Sequence, residues 1–161
     1  MTGSKKCEDN GWLHTHRVAV GAFIFRDGRV LLLKRKNSPF TFAPPGGRLN
    51  VDEDPLAGLR REVREETGLA IHPISIANHW YGSMDGEKPA LLCINFLAEW
   101  QNGDVHLSEE HSEFVWASCE DIRSGNVKTV DQDGFGYTTD DILDAFARFE
   151  SFSTQQNGSA S

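Results

Sequence analysis

The feature that most constrains this chain is an acidic stretch at residues 46–69, GGRLNVDEDPLAGLRREVREETGL, which lies between two glycine-marked turns. Asp54 is a good N-cap, Pro55 suits the first helical position, and Gly68 suits the residue just past a helix end. The stretch therefore predicts a helix that begins after Asp54 and ends at Thr67, with a loop on either side.

On a helical wheel, the predicted helix has three different faces. Glu62, Glu65 and Glu66 fall in one sector, because they are spaced i, i+3 and i+4. Gly58 lies in the same sector and leaves room for another group to approach. The neighbouring sector is apolar and can dock on a sheet: Leu56, Leu59 and Val63. A solvated helix with ion pairs, such as Arg61 with Glu65, would explain this pattern, but so would a hard-oxygen site for Mg²⁺ or Mn²⁺.

Hydrophobic patterning outside this helix predicts a single α/β domain. Residues 17–25 and 29–35 are β-rich runs joined at Asp27-Gly28, which suits a tight hairpin turn. Further strands are predicted at 70–80, 89–100 and 111–118, and a helix at 138–152. Residues 36–47 are predicted to form a loop around a short extended piece, 119–125 a short turn or helix, and 126–138 an irregular loop. Strands mixed with two separated helices predict a sheet covered on both faces. We expect a flexible arm at 1–15, one domain at 16–150, and a disordered tail at 151–161.

Composition narrows the class of partner. The chain of 161 residues has 24 acidic and 16 basic residues and a net charge of −8. This balance disfavours nucleic acid as the main partner, and a cation must mediate any contact with phosphates. The three cysteines are too few and too widely spaced for a disulfide framework or a zinc site, which favours a reducing cytoplasm. No secretory signal is visible and no apolar run could span a bilayer, so we expect a cytoplasmic protein without membrane association.

The acidic stretch resembles the signature box of the Nudix hydrolases throughout its length. That pattern is Gly, five residues, Glu, seven residues, Arg-Glu, an apolar residue, one residue, Glu-Glu, one residue, Gly and an apolar residue. The matching positions are Gly47, Glu53, Arg61, Glu62, Val63, Glu65, Glu66, Gly68 and Leu69. The resemblance implies a Nudix-type α/β/α sandwich with a mixed central sheet and a loop–helix–loop metal site. It also implies metal-dependent hydrolysis of a diphosphate linkage in a nucleoside diphosphate joined to another moiety, a nucleotide or an ADP-ribose-like small molecule.

The resemblance also assigns roles within the box. Glu62, Glu65 and Glu66 match the family's ligands for Mg²⁺ or Mn²⁺, and the Gly46 carbonyl often joins them in relatives. Arg61 is expected to orient a glutamate beside the reaction, so that Glu62, Arg61 and Glu65 form the catalytic group. The supporting residues are Gly47, Glu53 and Gly68.

Two family arrangements compete for the base that takes a proton from water: Glu62, or a glutamate from a later loop. The later loop here is LSEEHSEFVW, residues 107–116. Our hypothesis is that Glu62 is both ligand and base, and that Glu110, six residues before Trp116, completes the metal shell. Glu109 and Glu113 are its rivals.

Substrate contacts and alternative functions are less marked in the sequence. Aromatic residues on predicted loops could stack on a base: Phe40, Tyr81, Phe135 and Tyr137. One alternative is an inactive Nudix-fold nucleotide-binding or sensor module, although such domains usually lose box carboxylates that are all present here. Another is an isopentenyl diphosphate isomerase, which needs a catalytic cysteine, and Cys93 is a weak candidate for it. Family members often pair, so the resemblance is compatible with a homodimer.

Overall fold

A seven-stranded sheet forms the centre of the structure, a computed structural model that describes residues 15–159. Apart from Thr15, the predicted N-terminal arm lies outside the described residues. The strands are β1 (Arg17–Arg26), β2 (Arg29–Arg35), β3 (Phe42–Ala43), β4 (Gly46–Arg48), β5 (Ala70–Gly82), β6 (Leu91–Asn102) and β7 (His111–Ala117). The helices are α1 (Pro55–Thr67), α2 (Cys119–Arg123) and α3 (Thr139–Gly158). No helix of this described part is long and apolar enough to cross a membrane.

The sheet is mixed, as the resemblance implies. Its strands follow the order β3-β2-β1-β6-β5, with β4 paired to β1 and β7 paired to β2. The central pair β1–β6 is parallel, whereas the other pairs are antiparallel. The crossover between the parallel strands runs through α1 and β5, so it carries the acidic helix onto one face of the sheet.

Alternation along the strands builds one core on each face, because successive side chains of a strand point to opposite sides. In β2, Leu31 and Leu33 pack on the face covered by α1, and Leu32 packs on the face covered by α3. Leu59 of α1 and Ile142 of α3 are both fully buried, each in the core of its own face. The predicted α/β sandwich, covered on both faces, is confirmed.

The connection predicted as a loop at 36–47 contains two short strands. Its prolines interrupt regular structure, but Gly46 and Gly47 pair with Gly21 and Val20 of β1 and form β4. The hairpin turn is confirmed, since Asp27 and Gly28 have φ values of 50° and 73°, as a two-residue hairpin turn requires.

The C-terminal helix is longer than predicted. α3 continues to Gly158 through most of the segment that composition assigns to a disordered tail. The Phe149 and Phe152 ring centroids are 6.5 Å apart and Phe149 stacks on Phe25 of β1, so the apolar side of the helix still packs where the predicted tail begins.

Candidate active site

Helix α1 is fixed at both ends and along one side. The Asp54 carboxylate accepts hydrogen bonds from the backbone N–H groups of Leu56 and Ala57 at 3.0 Å. At the other end Gly68 has a φ of 74°, the left-handed conformation that a helix C-cap favours. Leu59 and Val63 are fully buried, whereas Leu56, which we expected to dock on the sheet, is 38% exposed. With its rotation set in this way, α1 turns its carboxylate sector towards β4.

Arg61 joins three of the predicted carboxylates. Its guanidinium donates to both oxygens of Glu53 at 2.7 Å, to Glu62 Oε1 at 2.8 Å and to Glu65 Oε2 at 3.2 Å. A fifth bond reaches the Arg48 carbonyl at 3.2 Å. The bidentate bond from Arg61, with a second bond from the Asn50 N–H, lowers the pKa of Glu53 to about 2. Glu53 is therefore the main partner of Arg61 and holds it beside Glu62.

The position of Glu53 also explains Gly58. A β-carbon on Gly58 would meet the Leu49 side chain and the Glu53 carboxylate. The space that we expected in the carboxylate sector is thus filled by the residue that anchors Arg61.

Glu66 is the buried member of the cluster. Glu66 is only 6% exposed, and its Oε2 accepts a hydrogen bond from the Gly46 N–H at 2.9 Å. Burial raises the pKa of Glu66 to about 8, and the negative charges of Glu62 and Glu110 add to this rise, while the Gly46 bond and the Arg35 charge oppose it. A carboxylate in this position is stable only near a source of positive charge.

Glu62 lies against the backbone of β4. Its side chain is 14% exposed, and a β-carbon on Gly47 would collide with its carboxylate. Burial raises the pKa of Glu62, as do the charges of Glu65 and Glu110, whereas the bond from Arg61 lowers it. Gly47 therefore lets the Glu62 carboxylate approach the strand, whereas a β-carbon on Gly46 would instead meet the Val20 carbonyl of β1. Glu65, with a side chain 59% exposed, forms the outer edge of the cluster.

The loop between β6 and β7 brings Glu110 towards this cluster. The Ser108 N–H donates to the Glu66 carbonyl at 3.2 Å, which ties the loop to the end of α1. Glu110 is exposed, and its negative charge raises the pKa of both Glu62 and Glu66. Glu113 pairs with Lys34, on the face of the sheet opposite to α1, and the pKa values of Glu62 and Glu66 respond to Glu110 rather than mainly to Glu109. Of the three rivals, the structure brings Glu110 to the site.

Two residues with polar contacts were not singled out from the sequence: Arg35, at the end of a strand next to the site, and Asn95, on the face of the sheet covered by α3. Arg35 is the last residue of β2, and its Nε and Nη2 donate to the carbonyls of Pro39 and Ser38. Its positive charge lowers the pKa of Glu66. Asn95 is only 2% exposed and accepts a hydrogen bond from the Tyr137 hydroxyl at 2.9 Å. An arginine that ends an apolar strand before a proline-containing loop was a visible signal, whereas the Asn95 contacts depend on pairing between distant strands.

The four aromatic candidates lie in different surroundings. Phe40 and Tyr81 are 65% and 59% exposed, and the Tyr81 hydroxyl lies 3.3 Å from His16 Nε2. Phe135 is half-buried, next to Gly86. Tyr137 instead packs edge-on against Phe23, with its hydroxyl bound inside the structure, and burial raises its pKa well above the usual value. Tyr137 is thus a packing residue in this structure rather than an exposed stacking platform.

Cys93 lies away from the carboxylates. It belongs to the same face of β6 as Asn95 and Leu97, which is the face covered by α3. Its side chain is buried, and burial raises the pKa of its thiol to about 11. A protonated thiol on the opposite face of the sheet does not support an isomerase site built on Cys93.

The donor set of the cluster suits a hard divalent cation. Among residues 15–159, no three His, Cys, Asp or Glu side chains are already arranged around a metal position, because Arg61 holds Glu62 and Glu65 while Gly46 holds Glu66. Glu66 is nevertheless buried and Glu62 mostly enclosed, both have raised pKa values, and Arg61 contacts only Glu62 of this pair. Carboxylate oxygens with unbalanced negative charge are the ligands that Mg²⁺ and Mn²⁺ prefer.

A mixed sheet between helical layers, with a carboxylate-bearing loop–helix–loop on one face, defines the class of this protein, and comparison with known proteins agrees. The family model of the NUDIX domain matches residues 15–137.

A protein named ADP-ribose pyrophosphatase from Methanocaldococcus jannaschii is 34% identical over 99 residues, which are 60% of this chain and 58% of that protein. The asymmetrical bis(5'-nucleosyl)-tetraphosphatase of Mus musculus is 31% identical over 120 residues, 64% of this chain and 80% of that protein. The crystal structure of a MutT protein from Methanosarcina mazei Go1 superimposes with a TM-score of 0.64 and 31% identity, covering 85% of this chain and 94% of that one. The chain belongs to the Nudix hydrolase family.

Proposed function

We propose that this protein hydrolyses a diphosphate linkage in a nucleoside diphosphate joined to another group, with Mg²⁺ or Mn²⁺ as its cofactor. The observation that supports the proposal most is the convergence of Glu62 and Glu66 at β4, where Glu66 is buried and Glu62 mostly enclosed, beside the loop that carries Glu110. Such a site repels a substrate phosphate unless a cation intervenes, which accounts for the metal requirement.

The residues that would hold the cation are the Gly46 carbonyl and the carboxylates of Glu62, Glu65, Glu66 and Glu110. When bound, a divalent cation supplies positive charge to the phosphate oxygens and lowers the pKa of water. Arg61 would hold Glu62 in place through Oε1, since its own position is fixed by the bidentate bond to Glu53. Bidentate pairing of this kind fixes the orientation of both partners.

Glu62 is the base in this proposal. Its Oε1 is bound by Arg61, and the carboxylate lies beside the Gly47 backbone with its side chain mostly enclosed. A glutamate whose pKa is raised by burial is better matched to proton transfer near neutral pH than an exposed one. Glu110 is the alternative base, because it is the carboxylate of the later loop that comes near Glu62 and Glu66.

The substrate belongs to the nucleotide class. The names of the relatives refer to ADP-ribose and to bis(5'-nucleosyl) tetraphosphates, both of which contain phosphoanhydride bonds next to a nucleoside. Phe40 and Tyr81 are the exposed aromatic candidates for stacking on the base.

A panel of nucleotides tests this proposal. The protein is incubated with ADP-ribose, dinucleoside tetraphosphates and nucleoside triphosphates in the presence of Mg²⁺, Mn²⁺ or EDTA, and the products are identified by mass spectrometry. We expect cleavage between two phosphoryl groups with at least one substrate, and loss of cleavage in EDTA. Cleavage of none of them with either metal, together with no calorimetric uptake of Mg²⁺ or Mn²⁺, would refute it.

A further inference from the structure

Arg35 is a cation next to the acidic site that has no acidic partner. It is half-buried at the end of β2, and it forms no ion pair with any carboxylate of residues 15–159. Its Nε and Nη2 groups donate to the carbonyls of Pro39 and Ser38 at 3.1 and 3.3 Å, and no described residue accepts from Nη1. Two neutral acceptors therefore fix the plane of the guanidinium but leave its charge unneutralised.

The strand register places Arg35 on the face of the sheet that carries the glutamates. Lys34 is paired with Glu113 and Arg35 with His111, so the extra residue at this point, Ser112, lies in β7. Because the extra residue is in β7, successive side chains of β2 still alternate between the two faces. Arg35 therefore points to the same face as Leu33, which packs in the core under α1.

The loop that leads into β7 spans the distance between the glutamates and Arg35. It is bonded to the Glu66 carbonyl at Ser108, and the Glu110 carbonyl accepts from the Lys36 N–H at 3.1 Å. Arg35 directly precedes Lys36, so the bond between Lys36 and Glu110 places the end of β2 next to the loop that carries Glu110. The guanidinium thus lies beside the carboxylate cluster but is bound to none of its members.

We propose that Arg35 binds a phosphoryl oxygen of the substrate diphosphate, next to the group held at the carboxylates. The inference rests on the proposed function, because it names the protein group that recognises the second phosphate of the same substrate. A diphosphate carries charge on both phosphoryl groups, and a guanidinium with a free donor matches phosphate oxygens in geometry and charge. Arg61 cannot fill this role, since Glu53, Glu62 and Glu65 already occupy it.

Arg35 could instead serve only to tie down the loop at residues 36–41, and two variants separate these roles. Lysine in Arg35→Lys keeps a point charge that binds phosphate but cannot reproduce both bonds of the fork to Ser38 and Pro39. Phosphate binding therefore predicts an affinity between those of wild type and Arg35→Ala. A purely structural role predicts that the two variants have equal affinity.

The test is calorimetric titration with inorganic pyrophosphate in the presence of Mg²⁺. Arg60→Ala is the matched control, because Arg60 is exposed and lies two residues before Glu62, on the far side of α1. We expect about 10- to 100-fold weaker binding for Arg35→Ala, a smaller loss for Arg35→Lys, and a change within about twofold for Arg60→Ala. Circular dichroism of each variant checks that it is folded.

Wild-type affinity in a folded Arg35→Ala variant would overturn the inference, as would equal affinities of the two Arg35 variants or no binding of pyrophosphate by the wild type. Failure of the proposed function gives a different result. If the wild type cleaves no nucleotide but binds pyrophosphate through Arg35, the anchor is retained and the hydrolase proposal is lost.

Discussion

At the scale of single residues, three glutamates that look alike in the sequence have different surroundings. Glu66 is buried against Gly46, Glu62 is mostly enclosed beside Gly47, and Glu65 is largely in solvent. Spacing on a helix identifies a shared sector, but the depth of each member depends on the strand that the sector faces. The innermost two are the residues on which the proposed chemistry depends most.

Replacing the proposed base gives the most direct prediction at this scale. Glu62→Gln keeps the shape of the side chain but removes its negative charge, so we expect kcat to fall by about 10²- to 10⁴-fold or more while the fold is retained. Steady-state kinetics on the best substrate of the nucleotide panel measures this. Glu113→Gln is the control, since Glu113 lies on the other face of the sheet. Near-normal turnover of Glu62→Gln would refute the assignment of the base.

A second residue-scale prediction concerns Cys93. Because burial raises the pKa of its thiol to about 11, only about 0.1% of it is thiolate at pH 8, and the reactive fraction becomes substantial only as the pH approaches 11. We expect iodoacetamide at pH 8 to modify Cys119, which is partly exposed, well before Cys93. Peptide mass spectrometry measures the two rates, and denaturation in urea should make them similar. Equal rates in the folded protein would contradict the buried position.

At the scale of elements, α1 could be predicted closely from the sequence but its surroundings could not. Its start and end depend on Asp54, Pro55 and Gly68, which act on the backbone next to them. The short strand β4 was missed because its formation depends on pairing with β1, far away in the chain. The choice among Glu109, Glu110 and Glu113 likewise required the register of β7 and its extra residue, which no local pattern marks.

The capping of α1 gives a prediction for this element. Asp54→Ala removes the acceptor for the N–H groups of Leu56 and Ala57, and we expect it to lower the free energy of unfolding by about 1 kcal/mol. Urea unfolding followed by circular dichroism measures the change. Asp54→Asn is the control, because asparagine also accepts at an N-cap and should stay close to wild type. A loss equal to that of the alanine variant would show that the charge, not the cap, is what matters.

At the scale of the whole molecule, one sheet serves two cores. Leu59 and Ile142 are each fully buried but belong to different faces, and the same strands supply the rest of both cores. The sequence predicted both layers because periodicity reports which side chains are buried. The sequence did not predict that Arg35 lies near Glu66, because the loop between β6 and β7 connects their surroundings only in the folded structure.

The shared sheet predicts cooperative unfolding. Leu59→Ala and Ile142→Ala each leave a cavity, and each should lower the free energy of unfolding by about 2–5 kcal/mol. Because neither core is complete without the sheet, both variants should still unfold in a single transition. Differential scanning calorimetry checks this, with exposed Ala57→Ser as a control of small effect. Two separate transitions in either variant would show that the layers unfold independently.

The close approach of α1 to Gly46 and Gly47 of β4 limits which parts of this chain can change during evolution. Glu62 and Glu66 face the backbone of β4, and β4 is held by β1 in the middle of the sheet. The segments around Phe40, Gly86 and Phe135 belong to connections outside β4 and α1. Insertions and replacements in those segments can therefore occur while the spacing between helix and strand stays the same. Change in the outer segments and preservation of the acidic centre are, in this architecture, separable events.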